Sequence, residues 1–512
     1  MKVLDTSEFI YQEQLDALSE NHAYWFYSGM DSCITEEIRH KLIAQLDEVT
    51  RPMYEHTMRM QAPILEMMLR GVRVSEEHRR RAIVETEKEL RFLEEGFTRI
   101  CVEGLGLKAM VNPGSHVQVK ALFYDILGLK EIKKRNNQGV YARASDRDTL
   151  EKLSQYFIAQ PFVNYILAMR DKRKVLGFLK TPIDEDGRMR CSFGLAGTKT
   201  GRLNSSFSDF GTGTNLQNID KNLKYIFVAD PGKVFVNIDL EQADSRNVGA
   251  LCWEIFYDEY GEDFAGSYLN ACESGDLHTT VCRMAWPNLG WDNPADYRSV
   301  ADQIAYRTYS FRDMSKKLGH GSNYYGQPPT MAMHAKLPVR QVQDFQDAYF
   351  GAFPCIPEWH KWTIDKLQTT RILTHLFGRR RTFFGDVKDQ NVINAAIAYS
   401  PQGMTGEEIN RGILNLWYDP RFELMVQVHD SILFQVDYKD VNTLVPLALQ
   451  KMEVHRRLKG GRDFYVPLEA EVGFNWGKAK ESNPHGMKTW SGEETRKPPK
   501  QLMQKRIGLF DM

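Results

Sequence analysis

The sequence predicts a multidomain α+β protein in which helical lobes surround one sheet. Three observations predict it. A chain of 512 residues is too long for a single hydrophobic core. Its first third reads as helices. Two apolar runs far apart in the chain, Val234-Phe235-Val236-Asn237-Ile238 and the run from Leu424 to Phe434, read as buried strands, and each leads to an aspartate, Asp239 and Asp430. The simplest arrangement sets those strands side by side, with the helical block between them as an excursion.

Taken in order, residues 1–60 read as helical and carry aromatics early, at Tyr24, Trp25, Phe26 and Tyr27. A long helix is expected from Ser75, a suitable N-cap, to about Cys101. Asn112-Pro113-Gly114-Ser115 is a break, and Ser115 can cap the next helix, which carries Val119, Leu122 and Phe123. Another helix covers Phe162 to Leu179. From Arg188 to about Val236 the composition shifts to short β-type segments rich in Gly, Thr, Ser and Asn. Residues 262–385 read mostly as helices and loops, broken at Trp286-Pro287, Asn293-Pro294 and Pro328-Pro329. A helix from about Asn391 to Trp417 precedes the hairpin with Asp430. From about Lys478 the chain is polar and Lys-rich and reads as a loose tail. No internal repeat is visible.

Hydrophobic content of 42% and charged content of 26% fit a soluble globular protein. A net charge of −1 supplies no global basic field for nucleic acid, so local clusters must do so. These are Arg79-Arg80-Arg81, Lys133-Lys134-Arg135, Lys316-Lys317 and Arg379-Arg380-Arg381, and each alone reads first as a solvated helix face. The seven cysteines contain no C-x-x-C pair, which argues against a zinc site or a disulfide framework and for a reducing compartment. His278 between Cys272 and Cys282 does not have zinc-ligand spacing. No signal peptide or long apolar run is present, so a cytoplasmic protein without a membrane span is expected.

Two carboxylates aimed out of a rigid sheet can hold two Mg²⁺ ions, and two metals can clamp both the attacking and the leaving oxygen of a phosphoryl transfer. Arg312 and Lys316, four residues apart, share a helix face and can meet a triphosphate. Together these residues imply a template-directed nucleotidyl transferase.

Motifs in a fixed order then narrow the reading: TKTGRLNSS (198–206), NLQNI (215–219), DLEQADSR (239–246), the Arg-x₃-Lys helix (312–326), SPQGMTGEE (400–408), QVHDS (427–431) and VPLEAEVGFNW (466–476). Over roughly residues 60–480 the chain resembles the family A DNA polymerases, the class of bacterial DNA polymerase I and many phage replicases. The resemblance implies a right-hand polymerase fold, with an antiparallel palm sheet and helical fingers and thumb, and Mg²⁺-dependent extension of a DNA primer on a DNA template from dNTPs. It divides the chain into exonuclease-domain C-terminal helices (1–60), thumb (61–187), palm (188–261), fingers (262–385), palm again (386–480) and a flexible tail (481–512).

Residue by residue, Asp239 and Asp430 match the two metal-binding carboxylates, and the backbone carbonyl of Leu240 can add an oxygen ligand. A lone aspartate at a strand end is commonly a cap; two in matching motifs point to metal. Arg312 and Lys316 match the triphosphate-binding pair, and His278 would contact the same phosphates. Tyr324 matches the aromatic that guards the templating position, and Gln242, Asp244 and His320 complete the dNTP pocket. Arg202, Gln402 and His429 match contacts to the minor groove at the primer end, where Gln217 and Asn218 are neighbours or simple turn residues. Minor-groove acceptors are alike for all correct pairs, so such contacts test pairing geometry without reading sequence.

The chain departs from the family pattern at four positions. Asp244 stands where bacterial enzymes usually have Glu, the group that excludes a 2′-hydroxyl. His320 takes the place of Phe or Tyr, Ser431 replaces the acidic residue after the metal-binding Asp, and Tyr325 sits where Gly normally follows the tyrosine. His-Asp-Ser is also the pattern of phage single-subunit RNA polymerases, so that activity is the nearest alternative. A non-catalytic DNA-binding subunit is the more distant one.

At the start, Tyr27 and Asp31, four apart on a helix, resemble the last motif of the family's 3′→5′ exonuclease. The earlier exonuclease carboxylates have no room upstream. No proofreading on this chain is expected, with either a separate exonuclease chain completing the site or a helix kept for packing. At the other end, Ile507, Leu509 and Phe510 follow a polar segment and resemble a sliding-clamp peptide, with a frayed end as the competing reading.

Overall fold

The computed structural model describes residues 20–135, 139–306 and 309–499. Helices fill the first third. α1 (Glu20–Ile43) is followed by Arg51–Arg59, Gln61–Arg70 and α2 (Glu76–Arg99). Ser75 caps α2 by accepting the His78 N–H, and Glu76 and Glu77 set negative charge in its first turn. Ser115 caps His116–Lys120 by accepting the Gln118 N–H. α3 (Gln160–Leu179) lies along α2, and Phe97, Leu122, Phe123, Ile166 and Met169 close a small separate core. The helices expected around 75–101, 116–123 and 162–179 are all present.

The central sheet is antiparallel throughout. Its strands are β1 (Lys233–Leu240), β2 (Glu423–Val428), β3 (Ser431–Asp437), β4 (Leu468–Gly473) and β5 (Lys488–Thr489), in the order β2-β3-β1-β4-β5. The hairpin that carries Asp430 therefore lies beside β1: β3, the strand that leaves that aspartate, is the direct neighbour, and β2, the strand that leads to it, is one place further out.

Between β1 and β2 the chain makes its helical excursion. α4 (Ala243–Glu273) bends at Gly261, whose φ of 78° only glycine adopts without strain. There follow α5 (Leu277–Ala285), α6 (Phe311–Asn323), α7 (Val339–Ala352), α8 (Cys355–Thr369) and α9 (Gln390–Trp417). α10 (Val441–Met452) then packs on the sheet. α4 and α9 pack against each other and carry polar residues into the main core, among them Asn247, Thr405 and Glu408.

Two sequence expectations are corrected. The loose tail expected from about residue 478, and the flexible 481–512 segment, do not describe residues 478–499. β5 pairs with β4, the Trp490 N–H donates to the Ala470 carbonyl, and Arg496 donates to the carbonyls of Val472 and Gly486 (each 2.7 Å). Polar composition suggested a tail, but an open sheet edge gives such a segment backbone partners. Residues 500–512, with the clamp-peptide residues Ile507, Leu509 and Phe510, lie outside the described residues. Nor is Arg379 part of a solvated face: its guanidinium meets the fully buried carboxylate of Glu407 at 2.6 Å.

All seven cysteines are free. Among the described residues no helix is long and apolar enough to cross a membrane.

Candidate active site

Asp239 is the next-to-last residue of β1, and Asp430 sits in the two-residue turn, His429-Asp430, between β2 and β3. His429 has φ 57°, the left-handed value such tight hairpins require. The Leu240 N–H donates to the Asp430 carbonyl at 3.1 Å, which ties the strand end to the turn. In register, Asp239 lies opposite Ser431 on one side and Glu469 on the other.

The corner is short of positive charge. Burial pushes the Asp239 carboxyl up to about 7, and the charges of Asp430, Glu469 and Glu471 add to it against Lys478. Asp430 is also raised, first by burial. Among the described residues no three His, Cys, Asp or Glu side chains gather as a ready metal cluster. Two carboxylates nonetheless supply hard oxygen donors of the kind that suit a divalent cation such as Mg²⁺. The third carboxylate nearby, Glu469, was legible only as part of VPLEAEVGFNW, because strand register alone sets it opposite Asp239.

Behind β1 the chain turns sharply. Gln242 has φ 53° and Asp244 opens α4. Asp244 accepts three hydrogen bonds, from Arg202 Nη2 (2.7 Å), Tyr324 Oη (2.8 Å) and Thr405 Oγ1 (2.8 Å). The Tyr324 bond docks the end of α6 onto this corner. Arg202 also donates to the Gln402 carbonyl at 3.0 Å. Gly201 before it has φ 84°, and a Cβ there would lie 2.4 Å from Arg379 Nε. Gln217 donates to Gln427 Oε1 (2.8 Å), and Gln427 to the His429 carbonyl (2.6 Å). Arg202, Gln217, Gln402 and His429 thus belong to linked networks beside the corner, while Asn218 is exposed on a 3₁₀ turn.

α6 supplies the cations. A capping box of Ser310 and Asp313 starts it. Arg312 grips Asp276 with two hydrogen bonds of 2.9 and 3.0 Å. Asp276 caps α5 through the N–H groups of His278 and Thr279. Burial pushes the Asp276 carboxyl up, but Arg312 and Thr279 outweigh that and hold it at about 2. His278 is held down at about 4, by burial first and then by the charge of Arg312. It is therefore neutral at pH 7. Lys316 is exposed one turn on, and His320 stands edge-on to Tyr324 with ring centres 4.8 Å apart. Tyr325 takes φ 61°, so the departure from glycine places a bulky residue in the left-handed region, at a cost of about 1–2 kcal/mol.

Tyr27 and Asp31 are exposed on α1, which stands largely clear of the other elements. A cavity of about 1520 Å³ opens elsewhere, between the first turn of α2, residues 183–188 and the 477–485 segment; both signs of charge line it.

The model of DNA polymerase family A matches residues 77–280 and 296–478. The chain belongs to DNA polymerase family A. Its matched part holds every motif residue of the corner and of α6. The chain is 26% identical over 458 residues to the thermostable DNA polymerase I of Thermus aquaticus, covering 85% of this chain and 48% of that protein. It is 21% identical over 425 residues to the DNA polymerase of Escherichia phage T5, covering 73% and 46%. The chain thus spans about half the length of the curated relatives it matches. Among solved structures it shares the fold of the POL domain of Pol1 from M. smegmatis, described in complex with DNA primer-template and dNTP. The TM-score is 0.62 at 22% identity, covering 82% of this chain and 70% of that one. This likeness places the family A chain in the right-hand polymerase fold.

Proposed function

We propose that this chain is a DNA-directed DNA polymerase that extends a primer by nucleotidyl transfer. The observation that carries the reading is the β1–β3 register, which puts Asp239 and Asp430 in one charge-deficient corner against which Tyr324 docks the cationic helix α6. In this reading β1–β5 and α9 belong to the palm, residues 262–385 to the fingers and residues 61–187 to the thumb.

Asp239, Asp430 and the Leu240 carbonyl would hold two Mg²⁺ ions, which when bound acidify the primer 3′-hydroxyl and balance charge on the phosphates. Arg312 and Lys316 bind the β- and γ-phosphates of the dNTP and stabilise pyrophosphate as it leaves. His278, neutral, donates a hydrogen bond to the same phosphates and adds no charge. Gln242, Asp244, His320 and Tyr324 enclose the sugar and base. Arg202, Gln217, Asn218, Gln402 and His429 hold the primer-terminal pair from the minor groove. Closure of α6 on a correct pair completes the site.

Two partners extend the reading. The exposed Tyr27 and Asp31 of α1 suit a composite site with a separate exonuclease chain, and the Ile507, Leu509 and Phe510 segment suits a sliding clamp. Loss of exonuclease-chain binding on replacing Tyr27 and Asp31, and lower clamp-dependent processivity without residues 504–512, are the expected results. Unchanged behaviour rejects each.

The deciding experiment extends a 5′-labelled DNA primer on a DNA template with Mg²⁺, comparing dNTPs with rNTPs. Extension with dNTPs alone supports the proposal. Equal extension with rNTPs favours the RNA polymerase alternative, and none with either favours a binding-only role.

A further inference from the structure

Asp244 is the residue on which sugar selection turns in the proposed polymerase, and its carboxylate is fixed from behind by groups to which the motifs assigned no role. Thr405 Oγ1 lies 2.8 Å from Asp244 Oδ1 and 3.1 Å from the Pro401 carbonyl. It has one proton to give, and the nearer, charged acceptor takes it. Thr405 Oγ1 in turn accepts from Asn247 Nδ2 at 3.1 Å, and the same amide donates to Glu408 Oε2 at 3.1 Å. Asn247 and Thr405 are 0% exposed and Glu408 is 3% exposed. The four residues come from two helices only, Asp244 and Asn247 from α4 and Thr405 and Glu408 from α9.

Such a chain is costly to bury unless each member is satisfied, so its geometry is strongly constrained. The Asn247 amide nitrogen faces both Thr405 Oγ1 and Glu408 Oε2, while its Oδ1 is buried with no hydrogen-bond partner among the described residues. With that nitrogen toward it, the Thr405 hydroxyl accepts from Asn247 and donates toward Asp244. Burial pushes the Glu408 carboxyl up to about 8, so it remains a neutral end to the chain at pH 7, without a second charge beside Asp244. On its other side Asp244 meets Arg202 at the same oxygen and Tyr324 at Oδ2. A carboxylate one methylene shorter than glutamate has less reach, and three donors hold it in a single orientation.

We propose that Thr405, oriented by Asn247 and Glu408, is a positioning residue that aims Asp244 at the nucleotide sugar and so sets discrimination against ribonucleotides. The proposal rests on the polymerase reading. It acts on the choice of substrate and leaves the chemical step to Asp239 and Asp430. The α4–α9 packing that builds the main core thereby also sets the sugar-facing carboxylate.

The test measures kcat and KM for dNTP and rNTP on one primer-template, for the unsubstituted chain and for Thr405→Val, Thr405→Ser and Asp244→Ala. Thr405→Val keeps shape and removes the hydroxyl. It should lower the dNTP-over-rNTP ratio of kcat/KM about tenfold, the scale of one hydrogen bond to a charged group, with kcat for dNTP nearly unchanged. Thr405→Ser should restore the ratio, which a packing role for the Thr methyl would not. An unaltered ratio in Thr405→Val, while Asp244→Ala loses it, overturns the positioning role alone. An unaltered ratio in Asp244→Ala overturns it as well, since Thr405 would then have nothing to act through. No extension by the unsubstituted chain overturns the polymerase reading and the proposal with it.

Discussion

In the proposed polymerase the acidic corner and the cationic helix face the same reaction, but they are held in opposite ways. At the corner Asp239 and Asp430 form no ion pair among the described residues; burial raises both, and the charge of Asp430 raises Asp239 further. On α6 Arg312 is already gripped by the ionised Asp276. One side of the site is left in charge debt that a bound cation relieves. The other is pre-paired, so its geometry exists before any phosphate arrives. The contrast teaches that the corner sacrifices folding stability for function, whereas the helix uses a counter-ion to keep its arginine ordered.

The sharpest way to break this comparison is to neutralise the corner. Asp239→Asn or Asp430→Asn should reduce extension by about a thousandfold or more, as loss of metal-assisted transfer implies. Primer-template binding, read by gel shift, should persist, and the melting temperature without metal should not fall, because an uncompensated charge has been removed. A clear drop in stability would mean that the corner is paired after all.

On the helix side, Arg312→Ala should raise the dNTP KM about 10- to 100-fold through loss of a charge-assisted contact. Asp276→Asn keeps the α5 cap and removes the competing charge. It should lower the KM severalfold and strengthen inhibition by pyrophosphate, in steady-state assays. A raised KM would instead show that Asp276 serves only to aim the arginine.

Acid titration separates the two sides further. His278, like His56 and His360, is depressed to about 4 and His375 to about 3, each first by burial. The unfolded chain takes up these protons near pH 6.5 and the fold does not, so this stability is full above about pH 6.5 and is lost as pH falls toward 4. Urea unfolding at pH 7.5, 6 and 5 should register the loss. His360→Gln, which keeps a donor for the Asn323 carbonyl, should flatten the slope. Because His278 stays neutral, it should contribute no step to the dNTP KM between pH 6 and 7.5.

The smallest effect is expected far from both sides. Arg496→Ala breaks the carbonyl contacts that bind the 478–499 segment to the sheet, and should cost about 1–3 kcal/mol in unfolding without changing kcat.

Much of this arrangement was legible in the chain. Ser75 and Ser115 announced their helices because capping is local chemistry. Asp239 and Asp430 announced themselves because an apolar run with a terminal carboxylate is a pattern within a few residues, and the order of motifs then identified the family. Composition misjudged residues 478–499, since polar residues say nothing about a neighbouring open strand edge. It also could not show that Arg379 is spent on the buried Glu407, or that Arg312 is paired to Asp276.

By itself the sequence determined the α+β character and the family, which rest on the order of segments and motifs along the chain, and the two aspartates and the Arg312–Lys316 face, which rest on spacing within single elements. Only the tertiary structure decided that Glu469 lies opposite Asp239, that Tyr324 docks on Asp244, and that Thr405, Asn247 and Glu408 stand behind that carboxylate. Those facts depend on strand register and on how α4 crosses α9. They join residues far apart in the chain, and no local pattern encodes a distance that only packing creates.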